Sequence, residues 1–192
     1  MSFVSDLTSA QRSELLRMAR NTAERALAGL SEAPTPDRPA IPGRFGGTFV
    51  TLYHGSRLRG CIGTFAPTTD IVATVEHVTR SSLADPRFEN EPITAGELPQ
   101  LDMEVSILSE LASADDPRSL IVGRHGVKVV LGKRSGCFLP KVGAERGWSA
   151  EELLSHCCTM KAGLPTDAWK NPDCRVFFFE TDTFRESLLL GD

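Results

Sequence analysis

One short stretch, Leu58-Arg59-Gly60-Cys61-Ile62-Gly63, combines an arginine, a thiol and two glycines. A guanidinium close to a cysteine stabilises the thiolate, which is the reactive form of that side chain. Glycines on either side let a ligand or another backbone come close. The stretch predicts Cys61 as a nucleophile or covalent anchor, Arg59 as its activator, and Gly60 and Gly63 as ligand contacts. The alternative is a small buried cysteine between glycines that ease sheet packing or form a bulge.

This stretch is predicted to form the second strand of a β-hairpin. Two runs of β-forming residues flank a Gly-Ser pair that suits a tight turn with glycine first. If that pair is the whole loop, Leu52 faces Arg59 and Val50 faces Cys61. The two-residue period of a strand then places the arginine, the thiol and Gly63 on one face of the sheet.

Four further polar residues are candidates for the same site. Asp85 and Arg87 are predicted to line the pocket entrance, although a turn in which Asp85 caps backbone amides and Phe88 anchors in the core also explains them. Glu104 lies on the polar face of an alternating strand, where it can accept a proton, bind a cation, or be a solvated carboxylate. His125 is either a polar group at a loop mouth or a plain turn histidine.

Several stretches occur in an order that is typical of one family. LRGCIG is followed by DPRF at residues 85–88, and further matches lie at residues 101–109, 123–127, 138–142, 147–148 and 161–164. Together they resemble the AMMECR domain family, known in bacteria as AmmeMemoRadiSam system protein A. The resemblance implies an α+β fold in which helices pack on a mixed β-sheet, with a smaller β lobe and the LRGCIG strand in the cleft between them. It also implies a pathway shared with a Memo-like protein and a radical SAM enzyme.

Composition and charge restrict the possible functions. A chain of 192 residues with 41% hydrophobic content can bury one sizeable core, so a single domain over residues 1–192 is expected. The longest apolar run has four residues, far fewer than the about 20 of a membrane span. The N-terminus has no secretory pattern, so we expect a cytoplasmic protein without a membrane partner. The net charge of −4 makes nucleic acid an unexpected partner.

The cysteines do not predict a metal or a disulfide framework. There are five of them, an odd number without a C-x-x-C pair, which is typical of reduced thiols. The run His156-Cys157-Cys158 is a poor metal site because adjacent helical residues point about 100° apart and no second Cys/His cluster follows at ligand spacing. Standard hydrolase, dinucleotide and calcium motifs do not occur. We therefore predict no metal and no cofactor.

The elements that position these residues follow from the hydrophobic pattern. A capping box at Thr8 begins an amphipathic helix over about 9–29. Prolines make residues 31–44 an extended connector, which leads into an α+β core over residues 45–186. A helix is expected after Asp70, a second hairpin around residues 133–135, a helix from Ser149 to Gly163, and an apolar strand at residues 175–180.

Two functional hypotheses follow. The first is an enzyme that acts on a small molecule or modified nucleotide of unknown identity, with Cys61 as nucleophile or covalent anchor, assisted by Arg59 and by Glu104 or His125. The second is a non-catalytic module, in which the hairpin docks a partner protein or a substrate carrier and Cys61 serves packing. In the second case, Arg59→Glu is expected to abolish binding of the partner while leaving the fold intact.

Overall fold

A computed structural model describes residues 7–30 and 38–189 of the chain. Contacts divide these residues into two compact units. Unit 1 runs to Leu108 and resumes at Asp182, and unit 2 comprises Ser109–Thr181. The single-domain organisation expected from the chain length stays a prediction.

The described residues form five α-helices and eight strands. In order, they are α1 (Ser9–Leu27), β1 (Gly47–His54), β2 (Arg57–Thr64), α2 (Ile71–Leu83), β3 (Leu101–Leu108), β4 (Ala112–Ser113), β5 (Gly126–Leu131), β6 (Arg134–Phe138), α3 (Pro140–Arg146), α4 (Ala150–His156), β7 (Arg175–Phe179), β8 (Thr181–Arg185) and α5 (Glu186–Leu189). Short 3-10 turns occur at Pro86–Phe88, Leu98–Gln100, Pro117–Ser119 and Ala168–Lys170, and a π-helical turn at Cys157–Lys161.

Helix α1 begins at the capping box that the sequence predicts. The Thr8 hydroxyl accepts a hydrogen bond from the Gln11 amide, and the Gln11 side chain accepts one from the Thr8 amide. The helix ends at Leu27, slightly before the predicted boundary. Of the predicted connector, residues 31–37 lie outside the described residues, and residues 38–44 form neither helix nor strand.

The first hairpin has a different register from the one predicted. Cys61 pairs with Thr51 rather than with Val50. Because a β-bulge leaves Arg59 without a partner on β1, Leu52 does not face it as expected. From Gly60 onward, the pairing of β2 with β1 is shifted by one residue from the predicted pairing. Because successive side chains of a strand point to opposite faces, Cys61 lies on the same face as Thr51 instead of that of Val50. The arginine is therefore not part of the regular alternation that carries the thiol.

The core of unit 1 lies between its sheet and the helices α1 and α2. The sheet has the order β2-β1-β3-β8, so β2 is an edge strand. One face contributes apolar side chains to the core, including Val50, Leu52, Met103, Val105 and Ile107. The same strands carry Thr51, Glu104 and Ser106 at the alternate positions, which point to the opposite face.

Unit 2 has a sheet with shorter strands in the order β4-β7-β5-β6. The second hairpin joins β5 to β6, and the apolar strand β7 pairs on both sides, as its sequence predicts. Ser149 and Glu152 form the predicted capping box of α4. This helix continues into the π-helical turn and packs Leu153, Leu154 and Cys157 into the core of the unit.

The α+β class predicted from the resemblance is confirmed, with helices and two sheets in the described residues. The strand pairings are antiparallel where a mixed sheet was expected. Tight turns account for this difference in the two hairpins, because a two-residue loop can join only antiparallel neighbours. Over residues 7–30 and 38–189, no helix has both the length and the apolar character needed to cross a membrane.

Candidate functional site

Cys61 lies on the edge strand β2, on the polar face of the sheet of unit 1. Its neighbour on β1 is Thr51, and the neighbour of Thr51 on β3 is Glu104, so the three side chains form one row across the sheet. Thr51 Oγ1 donates a hydrogen bond to Cys61 Sγ at 3.3 Å. The thiol is half-buried and has a polar partner, which distinguishes it from a cysteine packed only in hydrocarbon.

Glu104 contributes a carboxylate to this row. Its residue is only 7% exposed, so it is not the solvated strand carboxylate that the sequence left as an alternative. Neighbouring strands lie about 4.8 Å apart, which places the α-carbons of Cys61 and Glu104 roughly 10 Å from each other. The row therefore has a thiol at one end, a carboxylate at the other, and the hydroxyl of Thr51 between them.

The turn after α2 holds the backbone of Cys61. Because β2 is an edge strand, its outward amide and carbonyl groups lack a neighbouring strand. Asp85 Oδ2 accepts a hydrogen bond from the Cys61 amide, and Arg87 Nη2 donates one to the Cys61 carbonyl, each at 2.9 Å. We call this pair of residues the Asp-Arg clamp. At Cys61, the clamp forms the two backbone hydrogen bonds that a neighbouring strand would otherwise form.

The two members of the clamp also bind each other. Arg87 Nε donates to Asp85 Oδ1 at 3.0 Å and Arg87 Nη2 to Asp85 Oδ2 at 2.6 Å, a bidentate ion pair. Asp85 caps the Arg87 amide at 3.1 Å, as the turn interpretation expects, whereas Phe88 is half-buried beneath the guanidinium instead of lying in the core. The Asp85 side chain is 1% exposed and that of Arg87 is 56% exposed.

The electrostatics of the clamp favour both charged forms. Hydrogen bonds from the Arg87 guanidinium, assisted by the amides of Cys61 and Arg87 and opposed by burial, lower the pKa of Asp85 to about 2. The Asp85 carboxylate is the main cause that raises the pKa of Arg87, and the side chain of Cys61 adds to the same shift. Asp85 is therefore ionised at neutral pH, and Arg87 is the cation bound to the backbone carbonyl of Cys61.

Arg59, the predicted activator of the thiol, is bound elsewhere. It is 5% exposed, and its Nε and Nη2 donate to the Glu97 carboxylate at 2.6 and 3.0 Å. Its Nη2 also donates to the Glu91 carbonyl at 3.0 Å. The hydrogen bonds with Glu97 are the main cause that raises the pKa of Arg59. The bulge explains the difference from the prediction, because it takes Arg59 out of the alternation of β2.

The two glycines of the motif are required by packing. A Cβ atom on Gly60 would lie 2.1 Å from the carbonyl oxygen of Ser82 at the end of α2. A Cβ atom on Gly63 would lie 2.1 Å from the ring of Phe49. Both positions therefore exclude a larger side chain for reasons internal to unit 1. The ligand contacts predicted at these glycines stay predictions.

His125 lies in unit 2, where it belongs to a turn. Its Nδ1 accepts a hydrogen bond from the Ile121 amide at 3.2 Å, and its ring stacks on Phe178 with 5.2 Å between centroids. Burial lowers the pKa of His125, so the ring is neutral at pH 7. These contacts are those of a plain turn histidine, the second of the two interpretations that the sequence allows.

Unit 2 also contains the remaining cysteines, Cys137, Cys157, Cys158 and Cys174, all of them free thiols. Cys157 and Cys158 are fully buried in its core, and burial raises the pKa of both. Within the described parts of the chain, no group of three or more His, Cys, Asp or Glu residues is arranged to hold a metal ion. Burial keeps these two thiols in the unreactive protonated form.

Sequence reasoning missed two residues of the site. The predicted register, in which Val50 faces Cys61, puts Thr51 on the face opposite the thiol because it does not include the bulge. Ser82 lies on α2, and its hydroxyl accepts a hydrogen bond from the Ile62 amide at 3.1 Å and donates one to the Val50 carbonyl at 2.9 Å. A serine among apolar residues of a helix is the signal that could have indicated a bond to the sheet.

The fold and the site define an α+β protein with a thiol held at a sheet edge, and sequence comparison identifies the family. The AMMECR1 family model matches residues 16–184, which include most of both units. The chain belongs to the AMMECR1 family.

Its relatives include archaeal proteins. Protein MK0488 from Methanopyrus kandleri is 42% identical over 151 residues, which cover 73% of this chain and 71% of the relative. A protein from Methanothermobacter thermautotrophicus is 39% identical over 180 residues, covering 90% and 92%. The crystal structure of protein PH0010 from Pyrococcus horikoshii is similar with a TM-score of 0.80 and 36% identity, covering 89% of each chain.

Proposed function

We propose that this protein is an enzyme that binds a small molecule covalently through Cys61. The observation that carries the proposal is the polar row in which the sulfur of Cys61 accepts a hydrogen bond from Thr51 and Glu104 lies beyond it. A thiol on such a face can form a thiolate, whereas a thiol in an apolar core stays protonated. The arrangement fits a nucleophile better than a packing residue.

The proposed step is the attack of the Cys61 thiolate on an electrophilic carbon of the substrate. A bond forms between Sγ and that carbon, an electron pair moves onto the leaving or neighbouring oxygen, and the proton of the thiol passes to a base. Glu104 lies in the same row about 10 Å away, beyond hydrogen-bond reach of the sulfur, so it binds the far end of the substrate and the thiol proton passes to water. Arg59 has no part in this step because Glu97 holds its guanidinium.

Incubation with small molecules tests this proposal. The purified protein is mixed with the fraction below about 1 kDa of an extract from an organism that has the protein, quenched in acid after seconds and after minutes, and analysed by mass spectrometry of its peptides. We expect an added mass on Cys61 that is absent from Cys61→Ser and from Cys137 of the same sample. The same added mass on all accessible cysteines, or none on Cys61, contradicts the proposal.

We further propose that the reaction belongs to a pathway with a Memo-like protein and a radical SAM enzyme. The resemblance of the LRGCIG and DPRF motifs to the AmmeMemoRadiSam system supports this proposal. Affinity purification of the tagged protein from cells that contain all three proteins tests it. Enrichment of both partners is the expected result, and their absence together with recovery of an intact tagged protein counts against a shared complex.

A docking module remains the alternative function. The Arg59→Glu variant is not a test of a docking surface, because the guanidinium of Arg59 is buried and paired with Glu97. Arg57 is an exposed arginine of the same hairpin, with 62% of its side chain accessible, and it forms a surface ion pair with Glu91. If the hairpin docks a partner, Arg57→Glu is expected to weaken binding without changing the thermal stability of the protein.

A further inference from the structure

We propose that Arg87 positions the Cys61 thiol and stabilises its thiolate, a role that the sequence assigns to Arg59. This inference rests on the proposed function of Cys61. Its starting point is geometric, since the guanidinium of Arg87 donates to the carbonyl oxygen of Cys61 itself at 2.9 Å. The carbonyl oxygen and Sγ of one residue are separated by a few bonds, within about 5 Å. No other cation has a hydrogen bond to Cys61 in the described part of the chain.

The orientation of Arg87 is fixed while its charge stays accessible. Asp85 holds Nε and Nη2 in a bidentate pair, which restricts the rotation of the guanidinium plane. Asp85 is in turn fixed by the Cys61 amide, so the three residues form a closed loop of hydrogen bonds. More than half of the Arg87 side chain is exposed, so a substrate that approaches the sulfur also meets the cation.

The charge balance around the thiol makes Arg87 necessary. Two charged side chains form hydrogen bonds with the backbone of Cys61, the carboxylate of Asp85 and the guanidinium of Arg87, whereas the carboxylate of Glu104 lies two strands away in the same row. Thr51 on β1, which donates to the sulfur, is neutral. Without Arg87, a thiolate at this position would have the Asp85 carboxylate beside it and no cation bound to the same residue, and a like charge disfavours its formation.

Arg59 provides the contrast within the same strand. Its guanidinium is directed to Glu97 and to the Glu91 carbonyl, both in the segment that precedes β3. It forms no hydrogen bond with Cys61, and the bulge takes it out of the alternation of β2 that carries the thiol. Arg59 is two positions from Cys61 in sequence but does not bind it. Arg87, 26 positions after Cys61, is the arginine that does.

Alkylation rates in four proteins test the inference. The rate of iodoacetamide addition to Cys61 is measured from pH 6 to pH 10 by peptide mass spectrometry in the wild type, Arg87→Gln, Arg87→Lys and Arg59→Gln. We expect Arg87→Gln to react about tenfold more slowly at pH 7, Arg87→Lys to stay within about threefold, and Arg59→Gln to match the wild type, because only the charge next to the sulfur changes the thiolate fraction.

Asp85→Asn separates an electrostatic role from a scaffolding role. This variant removes the carboxylate charge near the sulfur and keeps an oxygen that can accept from the Cys61 amide, while Arg87 still donates to the Cys61 carbonyl, so we expect alkylation of Cys61 at pH 7 to be faster than in the wild type. If Arg87 only supports the backbone, Asp85→Asn and Arg87→Gln slow the reaction by similar factors, and that result overturns the inference. It is likewise overturned if Arg59→Gln slows the reaction as much as Arg87→Gln.

The comparison distinguishes failure of the inference from failure of the proposed function. If Cys61 reacts fast in the wild type and its alkylation rate does not change in the Arg87 variants, the proposed function stands and the role of Arg87 is ruled out. If Cys61 of the wild type reacts no faster than Cys174, both the proposed function and the role of Arg87 are ruled out. Thermal unfolding of each variant identifies loss of fold. If Arg87→Gln is unfolded, the alkylation rates of Arg87→Lys and Asp85→Asn, compared with the changes expected above, test the inference.

Discussion

Cys61 and Cys157 show two opposite uses of the same side chain. Cys61 is half-buried on a sheet edge, accepts a hydrogen bond from Thr51 and has its backbone bound by an ion pair. Cys157 is fully buried among apolar residues of unit 2, and its sulfur lies 4.0 Å from the Val127 carbonyl oxygen. Burial raises the pKa of Cys157 and keeps it a thiol. Polar partners, rather than the presence of a cysteine, distinguish a candidate nucleophile from a core residue.

The largest effect is expected where the strand of Cys61 touches α2. Gly60→Ala places a Cβ atom 2.1 Å from the Ser82 carbonyl oxygen, a backbone atom that cannot move without displacing the helix. We expect unit 1 to lose about 3 kcal/mol of stability or more, measured by denaturant unfolding. Gly96→Ala is the matched control, since its Cβ atom meets only a hydroxyl at 4.0 Å. Equal stability of the two variants would contradict the close approach of β2 and α2.

The clamp gives the next largest effect, and this effect depends on pH. The pKa of Asp85 is lowered to about 2, below its ordinary value of 3.8 in the unfolded chain. A depressed pKa stabilises the fold above about pH 4, and this stabilisation is lost as the pH falls toward 2. We expect Asp85→Asn to cost about 2 kcal/mol at pH 7 and much less at pH 2. A cost that is independent of pH would show that the carboxylate charge is not involved.

Serine substitutions compare the two cysteines directly. Cys157→Ser introduces a hydroxyl into an apolar core, which costs about 2 kcal/mol when that hydroxyl lacks a good partner. Cys61→Ser places a hydroxyl next to Thr51 on a polar face, so its cost is expected to stay below about 1 kcal/mol. Thermal or denaturant unfolding of both variants measures the difference. A larger cost at Cys61 would identify it as the more important packing residue.

The fold was more predictable from the sequence than the site. The capping boxes at Thr8 and Ser149, the Gly-Ser turn and the alternation of β3 depend on neighbouring residues, and these local patterns predicted elements that the structure contains. The bulge at Arg59 has no comparable signal, because it depends on how β1 and β2 pair. The charged partners of Arg59 and Cys61 lie 24 to 38 positions away in sequence, so no local pattern could assign Arg87 to the thiol or Glu97 to Arg59.

The smallest effect is expected from the hydroxyl next to the sulfur. Thr51→Val keeps the shape of a buried side chain but removes the hydrogen bond from Oγ1 to Sγ. The loss of one hydrogen bond to a charged acceptor is expected to slow alkylation of Cys61 at pH 7 by roughly fivefold, with little change in stability. Thr48→Val is a control on the same strand, since Thr48 Oγ1 donates to the Ser106 carbonyl and has no contact with the thiol. Equal rates in Thr51→Val and the wild type would show that this hydrogen bond does not support the thiolate.

The most direct test of the account is the relative reactivity of the five thiols in the native wild-type protein. Limited iodoacetamide at pH 7, followed by peptide mass spectrometry, gives a rate for each cysteine in one sample. We expect Cys61 to react at least tenfold faster than Cys174, whose pKa is raised by burial, and we expect no reaction of Cys157 and Cys158 until the protein unfolds. A Cys61 that reacts as slowly as the buried pair would contradict the account and leave this thiol with a packing role.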